Sequence, residues 1–522
     1  MTADRKAANW LILVERPDMA DSNSIAEPQD EDRLSVFRHV RAALNLEVLP
    51  DYASRLRQKN LPQVDQTSPI TDCKVDSEPL FGSYHILFRI SFSDGACWIL
   101  KVPANGYKDA FDKLSARALR TEALTMRLIK EKTTVPIPAI YEFSDACDNP
   151  LGCPFILMEY IDGRPLQDAW FERDIAPDVL ERHREHALQD LANALVQLNT
   201  FTSRQAGALT FGPDEKPCSD VGPFREVDIS TMLDRLREEE DYDGSSVYYE
   251  LGPISDPVAY FTHTLNRREP PTDEFGMGMH KLLRLFIDWA VSESEAAEAS
   301  PDEPTFVLAH PDLDIQNVLV SKTNGRLLGL IDWDGVITKP QCMFGNECYP
   351  SWLTRDWDSM KYRNPEDTPV EETSANASDD DAASDTSTIK ENTPKELALY
   401  REKWQTIITA ASTNPSAKKL AHNSLVVHNL KIAADDPMCE DHIVEKIFEE
   451  AKEKTLEQST RNGTRSEEKD KDNVEEDEDE DVDDFYLYEV CTKLATGQLE
   501  DEQHQRLEKG FRALFWHETE SA

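Results

Sequence analysis

The stretch His310-Pro311-Asp312-Leu313-Asp314-Ile315-Gln316-Asn317, followed by Ile331-Asp332-Trp333-Asp334, constrains this chain more than any other part of it. Apolar runs surround it: Thr305 to Ala309 reads as one strand, Val318 to Val320 as a second, and Leu327 to Ile331 as a third. Thr323-Asn324-Gly325 lies between the last two and carries a hairpin turn signal, because Asn-Gly tolerates the positive φ that a tight turn needs. Such a hairpin brings Asn317 and Asp332 side by side at one end, with Asp312 on the loop beside them. Phosphoryl transfer from a nucleotide uses a set of this kind. One carboxylate orients the attacking hydroxyl, while a neutral amide and a second carboxylate hold magnesium on the phosphates. A plain polar turn between buried strands is the competing reading of residues 310–317, and the downstream Asp332 weighs against it.

Such a site also needs a cation for the phosphates, and the N-terminal half contains one. Ile86, Phe88, Ile90 and Phe92 alternate with period 2, Asp94-Gly95 marks a turn, and Ala96 to Val102 reads as the returning strand. Lys101 stands near its end, among residues so apolar that its charge is costly unless it meets an anion. Arg117 to Lys132 has the spacing of a helix and carries Glu122 and Glu131. Upstream, Phe81-Gly82-Ser83-Tyr84-His85 forms a short turn, and Phe155 to Tyr160 is a buried strand running into Ile161-Asp162-Gly163.

With these residues in place, the chain resembles the aminoglycoside phosphotransferase group of small-molecule kinases, which shares the protein-kinase fold. The resemblance rests on a His-x-Asp-x-x-x-x-Asn loop and a later Asp-centred motif. Pro311 and Gln316 stand where Gly is frequent, and Trp333-Asp334 replaces the Phe-Gly of protein kinases; none of these departures touches Asp312, Asn317 or Asp332. The resemblance implies an α+β, protein-kinase-like two-lobed fold, with a small antiparallel sheet in the N-lobe and a mainly helical C-lobe. It implies ATP as phosphate donor (without excluding GTP) together with Mg2+. It assigns Asp312 as the catalytic base or orienter, and Asn317 and Asp332 as metal ligands. Lys101 is expected on the phosphates with Glu122 as its partner (Glu131 being a rival). Ser83 lies in a reduced phosphate-covering loop, Glu159 to Ile161 form the adenine-holding hinge, and Met158 borders the base pocket. The acceptor is expected to be a small-molecule hydroxyl held by the C-lobe. Glu347, Asp356 and Asp358 are candidates for gripping an amine-bearing acceptor, unless they pair internally with Arg355. Two rival functions remain open: a catalytically silent kinase-like binding module, and an atypical protein kinase.

Composition bounds the rest. At 522 residues the chain exceeds a typical domain, and its net charge is −44. Residues 365–388 hold eight acids and no base, and residues 464–484 hold thirteen acids against three bases. This excess argues against nucleic acid or an anionic membrane as a partner. No apolar run approaches the ~20 residues that span a bilayer. The nine cysteines have no metal-binding spacing and suggest free thiols in a reducing compartment. Trp10 to Val14 is too short for a signal core, and the acidic residues after it are unlike a transit peptide, so a cytoplasmic monomer is the expectation. The expected organisation is an acidic extension at 1–70 with its best helix at Arg33 to Leu46, an N-lobe at 71–161, and a C-lobe at 162–363. A disordered insertion at 364–394 carries Ser378 and Ser384 as possible phosphorylation sites. C-lobe helices at 395–456, an acidic linker at 457–484 and a docked helical segment at 485–522 complete it. Within that last segment Phe485, Tyr486, Leu487 and Tyr488 are expected to avoid water. Gly276-Met277-Gly278 lacks a preceding strand and a third glycine, so it is not a nucleotide fingerprint.

Overall fold

The structure, a computed structural model, describes residues 36–60, 73–228, 247–295, 306–357, 391–463 and 485–516. Asp358, Ser378, Ser384 and the acidic runs at 365–388 and 464–484 lie outside them. The chain divides into two compact units, one made of Met1–Pro253 and Val307–Lys339, the other of Ile254–Phe306 and Pro340–Ala522.

In the first unit, helices α1 (Arg38–Ala43) and α2 (Leu49–Asn60) precede an antiparallel sheet. Its strands are β1 (Cys73–Val75), β2 (Leu80–Phe81), β3 (His85–Phe92), β4 (Cys97–Pro103), β5 (Ile140–Ser144) and β6 (Phe155–Glu159). The order is β1-β3-β4-β6-β5, with β2 also paired to β3. Every second residue of β3 is buried, as the period-2 pattern requires. Ile86, Phe88, Ile90 and Phe92 join Trp98, Leu100 and Val102 of β4 in one core with Phe37 just before α1, Val40 of α1, and Leu49 and Ala53 of α2. Gly95 takes φ +86° at the turn between β3 and β4. The alternation sends Lys101 to the opposite face, which helix α3 (Lys113–Lys132) covers through Leu119 and Ala123 packed on Ile156. Asp112 caps that helix by accepting from the Ser115 amide at 2.8 Å, which starts it four residues before the predicted Arg117.

Beyond the sheet, β7 (Arg164–Pro165) leads into α4 (Leu166–Trp170) and α5 (Pro177–Leu195), whose Leu188, Leu191 and Leu195 are buried as their spacing predicts. Short strands β8 (Thr202–Ser203), β9 (Ala208–Phe211), β10 (Pro217–Gly222), β11 (Phe224–Val227) and β12 (Tyr248–Leu251) follow, with β9 paired to β10 and β11 to β12. The loop at 310–317 lies between β13 (Phe306–Ala309) and β14 (Val318–Val320); β15 (Leu327–Leu330) and β16 (Ile337–Pro340) follow. The predicted hairpin forms between β14 and β15, with Gly325 at φ +68°, and β7 pairs with the other edge of β14.

The second unit is helical: α6 (Pro257–Thr262), α7 (Glu274–Glu295), α8 (Gln341–Phe344), α9 (Ser351–Thr354), α10 (Pro394–Ala411), α11 (Ala417–Asp435), α12 (Glu440–Gly463), α13 (Leu487–Thr496) and α14 (Asp501–Arg512). A Thr393/Glu396 capping box starts α10. Gly276-Met277-Gly278 lies inside α7. A Cβ on Gly278 would sit 2.1 Å from the Cys491 carbonyl oxygen, so this glycine serves helix packing. Phe485 is buried, but Tyr486 and Tyr488 are 55% and 69% exposed, contrary to the expectation. Their rings lie on the outer face of the segment, over Lys452 and against Phe275 respectively. Sequence showed four adjacent apolar residues, whereas a helix can bury only one stripe of them.

Candidate active site

Lys101 is 5% exposed, and its Nζ donates to Glu122 Oε1 at 2.8 Å and to Asp332 Oδ1 at 3.0 Å. Glu122, not Glu131, is therefore the partner on α3; Glu131 sits at the surface beside Lys132. Burial alone would lower the Lys101 pKa. Asp332 and then Glu122 outweigh it and hold the amine charged. Burial raises the Glu122 carboxyl against the pull of Lys101.

Asp332 adopts φ +62°, a left-handed conformation uncommon for a residue with a side chain and costing on the order of 1 kcal/mol or more. The turn it begins continues through Gly335 at φ +78° and closes when the Val336 amide donates to the Trp333 carbonyl at 3.1 Å. Half of the Asp332 side chain is open to solvent. Desolvation would raise its pKa, but Lys101 and then His85 hold it below the usual carboxylate range.

The loop at 310–317 is built by its own hydrogen bonds. His310 Nδ1 accepts from the Asp312 amide at 3.2 Å, and its Nε2 bonds to the Ile331 carbonyl at 3.0 Å; this pair of contacts selects the neutral tautomer protonated on Nε2. Burial pushes the imidazole down to about 4. Trp333, fully buried, meets its ring edge-on at 4.6 Å. Asp314 caps the turn at 315–317. Asn317 is buried, and its Nδ2 donates at 3.0 Å to both the Asp312 carbonyl and Asp312 Oδ2. Its side-chain oxygen Oδ1 has no hydrogen-bond partner among the described residues. Asp312 itself is exposed. The Ile331 amide donates to the Asn317 carbonyl at 3.0 Å, so the hairpin carries Asp332 directly to the end of this loop.

Ser83 is exposed in the short connection between β2 and β3, which the Gly82 amide closes by donating to His85 at 2.9 Å. Glu159 ends β6; its Oε2 accepts from the Ala139 amide at 3.0 Å and from Lys130 at 3.3 Å. The next amide, of Tyr160, donates to the Cys97 carbonyl at 3.1 Å. Ile161 packs on Gly329 of β15, where an added Cβ would lie 2.4 Å from Ile161 Cδ1. Glycine at 329 thus allows the segment after β6 to lie against the hairpin that carries Asp332.

Three members of the site were given no role by the motifs. Arg225, on β11, donates from one terminal nitrogen to both oxygens of Asp334 at 2.9 Å, and its guanidinium lies 4.1 Å from the Tyr248 ring centroid. His85 stands 3.9 Å from the same carboxylate and is pushed down to about 3 by burial and then by Lys101. Desolvation would raise Asp334, but Arg225 and then His85 hold it well below the carboxylate range. His85, Lys101, Glu122, Arg225 and Asp334 line one small cavity. The sequence carried one signal for them: an acid, Asp334, where protein kinases have glycine.

The expected acceptor grips do not stand free. Glu347 is fully buried and accepts from Ser412 Oγ at 2.7 Å. Asp356 is bound by Arg401 at 2.7 Å, Lys446 at 3.3 Å and Asn429 at 3.3 Å, so the internal pairing that the sequence allowed is made by Arg401 and Lys446.

Residues 88–337 match the phosphotransferase enzyme family. Over 275 residues the chain is 22% identical to a subtelomeric hrmA-associated cluster protein of Aspergillus fumigatus, a match that covers 45% of this chain and 53% of that one. Over 299 residues it is 24% identical to "Altered inheritance of mitochondria protein 9, mitochondrial" of Vanderwaltozyma polyspora, covering 50% and 46%. The chain spans about half the length of the curated relatives it matches. Among solved structures it is similar to an amicoumacin kinase in complex with AMP-PNP and Ca2+ (11% identity, 78% of this chain and 96% of that one, TM-score 0.39). It is also similar to a macrolide 2'-phosphotransferase of Brachybacterium faecium (12%, 76% and 97%, TM-score 0.33). The cytoplasmic expectation is corrected by the relatives named as mitochondrial in several yeasts. Free thiols require only a reducing compartment and do not single out the cytosol. The resemblance first read from residues 310–317 is upheld: residues 88–337 of this chain match the phosphotransferase enzyme family.

Proposed function

We propose that the protein is an ATP-dependent kinase that moves the γ-phosphate to a hydroxyl of a small molecule. The observation that carries this reading is the convergence of Lys101 on Glu122 and Asp332, beside an Asp312–Asn317 pair joined by hydrogen bonds. A lysine charge buried for structure alone would be satisfied by one carboxylate. Here a second, half-open carboxylate shares it, which leaves a charged lone pair available to a ligand.

In this reading Lys101, kept charged and oriented by Glu122, binds phosphate oxygens, and Ser83 with its neighbouring amides covers them. Glu159 and Ile161 mark the hinge along which the base lies, with GTP not distinguished from ATP by these residues. Asp312 accepts a hydrogen bond from the acceptor hydroxyl and takes its proton as the oxygen attacks phosphorus. The Asn317 amide fixes the carboxylate that does so. The side-chain Oδ1 of Asn317 and the Asp332 carboxylate fit magnesium, a hard cation commonly held by one or two carboxylates together with phosphates and water. When bound, that ion neutralises charge on the β- and γ-phosphates. The division into an N-lobe at 71–161 and a C-lobe from 162 belongs to the same proposal.

Calorimetric titration with AMP-PNP, with and without magnesium, tests it. Wild type is expected to bind with magnesium, and Asp332→Ala to lose the magnesium-dependent part of the affinity. No binding by wild type at any magnesium concentration would leave the silent binding module in its place.

A further inference from the structure

A second cation faces the cavity that Lys101 lines. Arg225 comes from β11, far in sequence from every motif residue, and its side chain is only 7% exposed. Asp334 engages one of its three guanidinium nitrogens; Nε and Nη1 have no partner among the described residues. A guanidinium offers five N–H groups in a planar fork, so a single nitrogen on a carboxylate leaves most of its donors unused. The head group is also held in place. Tyr248 supports one face at 4.1 Å, and both oxygens of Asp334 hold its Nη2 at 2.9 Å. A buried cation with spare donors, lining the same small cavity as a lysine, has the chemistry of an oxyanion ligand.

Resting on the phosphotransferase reading above, we propose that Arg225 is a second phosphate-binding residue of this site, contacting the β- and γ-phosphates of the nucleotide, and that Asp334 is the residue that positions it. Asp334 lies two residues beyond Asp332, so the turn that presents one acid to the lysine presents the next to the arginine. The strand pair β11–β12 thereby contributes to the site a charge that phosphoryl transfer can use, since cations near the transferring group offset the charge it spreads over its oxygens.

The experiment is calorimetric binding of AMP-PNP and of AMP, in magnesium, to the full chain and three variants. Arg225→Gln is expected to weaken AMP-PNP roughly tenfold or more, the equivalent of one charge-assisted hydrogen bond, and to leave AMP within about twofold. Arg225→Lys should recover part of the loss, because it keeps the charge without the fork. The double variant Arg225→Gln with Asp334→Asn removes both members of the ion pair, so that neither charge is left buried alone. It too is expected to lose AMP-PNP affinity, with a melting temperature near wild type. If the double variant binds AMP-PNP as wild type does, Arg225 only neutralises Asp334 and the proposal fails. An equal loss for AMP and AMP-PNP would assign Arg225 a structural role and overturn it as well. If wild type binds neither nucleotide, it is the phosphotransferase reading itself that has failed.

Discussion

Two groups of carboxylates in this protein looked alike in sequence and differ in what surrounds them. Around Lys101, Glu122 is sealed against the amine while Asp332 shares the same nitrogen with half of its side chain still in solvent. In the stretch 347–356, Glu347 is fully buried on Ser412, and Asp356 is enclosed by Arg401, Lys446 and Asn429. The first group has an open side and the second does not. An acid near a motif is a candidate ligand only if folding leaves it a free lone pair, and partner count decides that, not residue type.

The contrast can be broken most sharply at Asp312. If the open group does chemistry, Asp312→Asn should lower turnover by roughly 10²–10⁴ while AMP-PNP affinity stays near wild type. Steady-state rates on an acceptor found by screening hydroxyl compounds, beside a nucleotide titration, measure both. An Asp312→Asn protein with unchanged turnover would remove the acid from the reaction.

The enclosed group should respond in stability. Asp356→Ala strands Arg401, leaves Lys446 with Glu450 alone, and should cost about 3 kcal/mol, read from denaturant unfolding, with no change in nucleotide affinity. A shift in acceptor KM with stability intact would instead return Asp356 to the binding surface.

A smaller effect sharpens the account of the loop. His310 has a folded pKa near 4, below the ordinary value of about 6.5. Its contribution is therefore fully present above the unfolded pKa and is lost as pH falls toward 4, because burial disfavours the charged imidazole. By pH 5 the cost should be about 2 kcal/mol. His310→Gln should lose that much less stability than wild type between pH 7 and 5; parallel slopes for the two proteins would refute the assignment.

Much of the architecture could be read from local pattern. The Asp94-Gly95 and Asn324-Gly325 turns reappear because glycine takes the positive φ they need, and the alternation at 86–92 and the helices at 395–456 because each depends on burying one face of one element. Lys101 was legible for the same reason: a charge inside an apolar strand demands an anion. The helix start at Lys113 was missed because its cap, Asp112, lies outside the apolar period. The exposure of Tyr486 and Tyr488 was missed because four adjacent apolar side chains cannot all face the same way on a helix.

What the sequence determined alone was therefore the set of elements and the chemistry they carry: strand, turn, lysine, helix, loop aspartate and asparagine, hairpin, aspartate. These follow from interactions between residues close along the chain. Tertiary structure decided the pairings. It chose Glu122 over Glu131, spent Asp356 on Arg401 and Lys446, and brought Arg225 to Asp334 across 109 positions. Sequence pattern reports which face of an element is apolar, but a charge acts on whatever the fold brings within a few ångströms, and that distance exists only once the elements have packed.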